Sequence, residues 1–178
     1  MKNLLKIVLT TFLGICVFCA VGCNNNAKTN DVSITALETE LKKSNSNFKF
    51  TVNESSSGFT FRCVNNYATY SGTADEKQNV TDITFVYNNI SNDVITNKNQ
   101  IKKAMTRLLN DPGSLTIEEI YAVGCVIDFE SLQSVFGVES NLDTAVDIIC
   151  ENKTTEINGW SVSVKSSEST VTITANKK

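Results

Sequence analysis

Histidine is absent from the 178 residues, and that removes more chemistry than any residue present supplies. Without it there is no Ser-His or Cys-His nucleophile pair, no imidazole general base and no histidine metal site. The reactive types that remain are six cysteines, nineteen acids and many Ser and Thr. A hydroxyl becomes a nucleophile only beside a base, and no Gly-x-Ser-x-Gly elbow or Gly-rich phosphate loop marks one here. No catalytic residue and no metal ligand set is therefore assigned.

Cys63, Cys125 and Cys150 lie in the body of the chain, the other three near its start. An odd number cannot pair completely within one molecule. Cys63 falls in an alternating apolar run, where a thiol behaves as a small hydrophobe. Cys125 and Cys150 could be joined by a disulfide or could both be free. The three are too widely spaced to read as a metal site without histidine.

Acids crowd the stretch from Asp111 to Glu156, among them Glu118, Glu119, Asp128, Glu130, Glu139, Asp143, Asp147 and Glu151, against Lys153 alone. No Asp-x-Asp-x-Asp-Gly calcium loop is present, so the stretch reads as a solvated acidic surface. The preceding segment is its complement. Lys98, Lys102, Lys103 and Arg107 occur with no acid between Val94 and Asn110. Pairs of like charge at i,i+4 are unfavourable unless acids face them, and packing against the acidic stretch is the simplest account. Trp160 and Tyr67, Tyr70, Tyr87 and Tyr121 could form a sugar or peptide platform, but core packing is the commoner role of such rings.

The elements that must position these residues begin with a leader. Lys2 and Lys6 precede an apolar or small run from Ile7 to Gly22, which ends in Ala20-Val21-Gly22-Cys23 and is followed by Asn24-Asn25-Asn26. The run is shorter than the roughly 20 apolar residues that span a bilayer and has the layout of a cleavable secretory segment. Its end resembles the lipobox of bacterial lipoproteins, with Val21, Gly22 and Cys23 at the positions nearest the cut and Ala20 where Leu is usual. The resemblance covers residues 1–26 only. It implies cleavage between Gly22 and Cys23, a diacylglyceryl thioether on Cys23 and an extracytoplasmic, membrane-anchored protein. Acyl anchoring needs two chains or more to be stable. No other cofactor is expected.

The expected organisation is thus a signal peptide over 1–22, the lipidated cysteine and a flexible tether over 23–31, and one globular domain over 32–178. About 155 residues suffice for a single domain with a real core. Without Lys2 and Lys6, fourteen basic residues face nineteen acids, a net charge of −5. That sign argues against a nucleic-acid partner.

Within the domain, Ile34, Leu37 and Leu41 predict a short helix with Thr35-x-x-Glu38 as its capping box. Four strands follow in period-2 alternation: Phe48, Phe50 and Val52; Phe59, Phe61 and Cys63; a run at about Tyr67 to Thr73; and Ile83, Phe85 and Tyr87. Ser55-Ser56-Ser57-Gly58 and Asn65-Asn66 mark turns between them. Asn97-x-x-Gln100 opens a helix through Leu109, which Asp111-Pro112-Gly113 stops. Thr116-x-x-Glu119 opens another through Ile120 and Tyr121, a separate short segment spans Leu132 to Gly137, and Leu142 to Cys150 is read as helical. A hairpin closes the chain through Trp160, Val162 and Val164, then Val171 and Ile173.

The two hairpins align without a gap, Phe48 to Cys63 on Trp160 to Ala175, which raises an internal α-β-β duplication. The fold class is α+β: an antiparallel sheet of about six strands, covered on one face by helices. The function expected is a binding or interaction module at the cell envelope, engaging a protein, peptide or glycan through the sheet face or edge. The alternatives are a cell-wall hydrolase with paired carboxylates and an accessory subunit of an envelope complex.

Overall fold

The computed structural model describes residues 31–44, 49–64, 67–139 and 141–178. The leader, Gly22, Cys23 and the first seven tether residues lie outside them, as do Phe48 and the Asn65-Asn66 turn. Asp31 pairs with Lys177. The Val80 amide then donates to the Val32 carbonyl at 2.7 Å, and Ser33 bridges Asn79. That bridge holds Ser33 extended, so helix α1 (Ile34–Ser44) starts immediately after it. The cap is Ser33, whose Oγ accepts from the Ala36 amide at 3.1 Å. Thr35 lies inside the first turn, and Glu38 pairs with Lys42 instead of closing a capping box.

Strands β1 (Lys49–Ser55), β2 (Gly58–Val64), β3 (Ala68–Ala74) and β4 (Val80–Asn88) form the expected meander. Gly58, at φ +124°, is obligatory, because a Cβ there would stand 2.3 Å from the Ala74 carbonyl oxygen. After α2 (Asn92–Ile95) comes the basic helix α3 (Lys98–Asn110), and Asn97 caps it by accepting from the Gln100 amide. A 3₁₀ turn at Pro112–Ser114 leads into α4 (Ile117–Val135), opened by the complete Thr116–Glu119 capping box. Helix α5 (Leu142–Cys150) follows, capped by Asn141.

Helix α4 is one continuous element, where the pattern suggested two. Its length is 19 residues, and those buried include Ala122 to Val126, Asp128, Phe129 and Leu132. A helix enclosed on nearly all sides has no polar stripe, so its sequence carries no clear period. Gly124 also mimics a break. It packs against the Tyr67 ring, which a Cβ would meet at 3.1 Å and would have to push aside. The true end is a Schellman motif in which Val138 N–H donates to Gln133 O and Gly137 N–H to Ser134 O.

Strands β5 (Thr154–Ile157), β6 (Trp160–Ser166) and β7 (Thr170–Lys177) complete a seven-stranded antiparallel sheet, ordered β1-β2-β3-β4-β7-β6-β5. The strand missed in the sequence is β5. Four residues with Ile157 as their one apolar member are too short to show alternation. The α+β class and the helix-covered face stand as expected. Phe61, Cys63, Tyr70, Phe85, Val162, Val164 and Ile173 point to the helices and are buried with Leu37, Val126, Phe129 and Ile149.

The two aligned hairpins share a register: Phe50 opposes Cys63 as Val162 opposes Ala175, and Val52 opposes Phe61 as Val164 opposes Ile173. Their places in the sheet differ. Strand β1 is an edge with Val52 exposed, whereas β6 is interior with Val164 buried. The relation visible in the sheet is instead between whole meanders, which meet through their last strands, β4 and β7.

Candidate functional site

Three places gather the residues singled out above. The first is buried. Tyr70 on β3 and Tyr87 on β4 project from the sheet toward α4, where both hydroxyls donate to Asp128 Oδ2, that of Tyr87 at 3.2 Å. The Tyr70 ring meets Phe85 and Tyr87 edge-on, with centroids 4.4 and 6.0 Å apart. Tyr67 stacks on Tyr121 at 5.2 Å. Asp128 is thus part of the core rather than of a solvated acidic surface. Its signal was present in the sequence as a lone carboxylate within the apolar run Ala122 to Phe129.

Burial pushes the Tyr70 and Tyr87 hydroxyls well above the usual phenol range, and the nearby Asp128 adds to it. Cys125 is raised by burial and by Asp128 in the same way. These groups are closed off from solvent and hold their protons. Their work is positional: two donors on adjacent strands fix one carboxylate and so fix α4 over the sheet. Of the rings that could have made a sugar platform, Trp160, Tyr67, Tyr70 and Tyr87 are in the core and Tyr121 is half-buried against it.

The cysteines are likewise internal. Cys63, Cys125 and Cys150 are free buried thiols, so Cys125 and Cys150 are not bonded to one another. Burial raises Cys63 to about 12, helped by Asp128, and raises Cys150 to about 11, helped by Asp147. Among the described residues no group of His, Cys, Asp and Glu is arranged to hold a metal ion.

The second place is the seam between the basic helix and the acidic elements. Lys98 pairs with Asp147 and Lys102 with Asp143 on α5, while Arg107 pairs with Glu119 of the α4 capping box. Like charges along α3 are thereby offset from across the interface. The hydrogen bond from Lys102 holds Asp143 below the usual carboxylate range, and that to Asp147 holds Lys98 above the usual amine range. Burial pushes Glu119 up, but the Thr116 amide and Arg107 more than offset it, and its carboxyl is lowered. Asp143 and Asp147 share a helix face, and both carboxylates are engaged with lysine.

The third place is the sheet face away from the helices. Thr51, Arg62, Ser71, Thr84, Thr174, Ser163 and Thr154 oppose one another in a single row across all seven strands. Asn53, Thr60, Thr73, Asp82, Asn176, Ser161 and Glu156 form a second row beside it. Nearly every side chain here is hydroxyl, amide or charged, and none is aromatic. Such a surface can offer many hydrogen bonds and little apolar contact. It is suited to a polar partner surface, and it gives a sugar ring nothing to stack on.

No helix among the described residues is long and apolar enough to cross a membrane. Comparison with protein-family models, with curated proteins and with solved structures finds no match.

Proposed function

We propose that this chain is a bacterial lipoprotein, anchored at the extracytoplasmic face of the cell membrane by a diacylglyceryl group on Cys23, and that its α+β domain serves as a binding module at the envelope. One observation carries the reading: the apolar run from Ile7 ends in Val21-Gly22-Cys23 and is followed at once by polar chain. The domain is compatible with that arrangement. Val32 is the first buried residue among those described, and the stretch from Asn24 to Asp31 that precedes it is mostly polar in sequence, as a tether after Cys23 would be. Its outward sheet face is built for polar contact, and the tyrosines and thiols that could react are enclosed. A hydrolase with paired carboxylates has no comparable support, since Asp143, Asp147 and Glu119 are each held by a cation.

The test is metabolic labelling with a palmitate analogue in cells, comparing the natural chain with Cys23→Ala. Label in the membrane fraction that disappears in the variant is the expected result. Unlabelled protein recovered free in the medium from both would overturn the reading.

A further inference from the structure

Among the described residues the sheet ends in β5 on one side and in β1 on the other, and the chain treats these two edges differently. Strand β5 is four residues long. The tight Asn158-Gly159 turn makes Ile157 and Trp160 a pair that exchanges both backbone hydrogen bonds. Bonding alternates along an antiparallel ladder, so Thr155 also bonds inward, and only Thr154 and Glu156 turn their backbone groups outward. Glu156 is charged and pairs with Lys178. A short edge carrying a charge is protected against further pairing.

Strand β1 has much less of that protection. It is seven residues long, holds no proline and keeps an unbroken register with β2, and six of its seven residues are exposed. Ser55 and Gly58 flank a two-residue turn and so exchange both bonds. By the same alternation Lys49, Thr51 and Asn53 bond inward to β2, while Phe50, Val52 and Glu54 present their N–H and C=O groups to the outside. The side chains of those three lie on the helix side of the sheet, since they oppose Cys63, Phe61 and Phe59. Phe50 stacks on Phe61 at 5.7 Å. Val52, at the centre of the open row, is 43% exposed. The charges of the strand, Lys49 and Glu54, lie toward its ends and leave Phe50 to Asn53 neutral.

We infer that β1 is the interface for a second copy of this chain, whose own β1 adds antiparallel across a two-fold axis at Val52. The strand is complementary to itself in that register. Val52 faces the partner's Val52, and Phe50 and Glu54 face the partner's Glu54 and Phe50, so every outward residue is bonded, at two hydrogen bonds per pair. Moving the partner by two residues leaves an open residue facing beyond the strand on each copy. Opposed side chains share a face. Each exposed Val52 therefore gains a valine opposite and the partner's Phe50 on the diagonal. On the outer face, Lys49 falls opposite the partner's Ser55 and Thr51 opposite the partner's Asn53. Like charges are kept apart: the two Lys49 side chains are at opposite ends of the contact and the two Glu54 side chains four positions apart. Arg62 stands one strand back, beside Thr51. Glu38 and Lys42 of α1, whose charges act on Cys63, are paired with each other. The contact is isologous and closes as a dimer rather than a fibre. Seven residues a side is well below the roughly 20–30 of a standard interface, so the association is reversible.

The test uses the full chain in its own cells, with one added cysteine and brief oxidation by diamide. The natural chain, whose described cysteines are buried, is the background. Val52→Cys places the two new thiols on the axis, with Cα atoms about 5.5 Å apart, within the span of a disulfide. Glu54→Cys, also at an exposed position of β1, places them about 14 Å apart, beyond that span. The expected result from Val52→Cys is a linked product of twice the chain mass that contains this chain alone by mass spectrometry, with about tenfold less from Glu54→Cys. Adding Glu54→Pro to Val52→Cys removes one outward N–H per copy and touches no bond to β2. It should lower the linked product about tenfold, while thermal melting shows the fold intact. Should that proline unfold the chain, the comparison of positions 52 and 54 decides alone. Equal linking at both positions, a product containing a different protein, insensitivity of the folded proline variant, or no linked product would overturn the inference.

Discussion

A single carboxylate shows how much one residue can decide here. Asp128 is enclosed and accepts from two tyrosines on neighbouring strands. Removing either donor leaves an acceptor short of a partner, which costs about 1–3 kcal/mol, whereas removing both ends can be nearly neutral. Tyr87→Phe should therefore lower stability in urea melts by about that amount, and Tyr70→Phe by at least as much. A double-mutant cycle with Asp128→Asn should show strong coupling. The same groups set an alkaline limit. Tyr70, Tyr87, Cys63, Cys125 and Cys150 are all raised in the fold, so the unfolded chain loses its protons first. Stability from these groups is intact below the unfolded thiol value of about 9. It falls as pH rises, by about 1.4 kcal/mol per pH unit for each group in its window. The Cys63 window closes at about 12 and that of Cys150 at about 11. Urea midpoints measured upward from about pH 8 should drop more steeply in the natural chain than in Cys63→Ala once corrected for the variant's lower baseline.

At the scale of elements, α4 sets two effects against each other at Gly124. Ala in a helix interior is favoured over Gly by about 0.8–1.0 kcal/mol, but the new Cβ would press on a Tyr67 ring already stacked against Tyr121. Overpacking of that kind costs about 1–3 kcal/mol. Gly124→Ala should thus destabilise by about 1 kcal/mol, read as a lower thermal midpoint with unchanged helix content, and Tyr67→Phe should not rescue it. Most elements were legible in the sequence because their signals are local. Thr116 with Glu119, Asn97 with Gln100, and Asp111-Pro112-Gly113 all behave as their chemistry dictates. What escaped depends on distant neighbours. The continuity of α4 is imposed by burial on nearly all sides, the Ser33 cap by a bridge to Asn79, and β5 by pairing with β6. Asp128 was legible only as an oddity of composition, since its partners lie 41 and 58 residues away.

For the whole molecule, the boundary of the domain can be tested directly. Val32 and Ile34 are buried and their backbone ties α1 to the β3–β4 connection. Each such side chain contributes about 1.5–3 kcal/mol by burial, a large part of a typical total of 5–15 kcal/mol. A chain starting at Asp31 should melt cooperatively, and one starting at Thr35 should melt at a markedly lower temperature or fail to fold, as followed by circular dichroism.

The β4–β7 pairing has a consequence for time. Phe85 lies opposite Ile173, and Ile83 opposite Ala175, so the centre of the sheet is sewn by a strand synthesised long after its partner β4. The first meander can form early, but until the final strand arrives β4 is an open edge in mid-sheet. Such distant pairing is slow to close. A chain stalled or clipped before β7 would therefore present an unpaired strand to its neighbours, and the arrival of β7 is what removes that hazard.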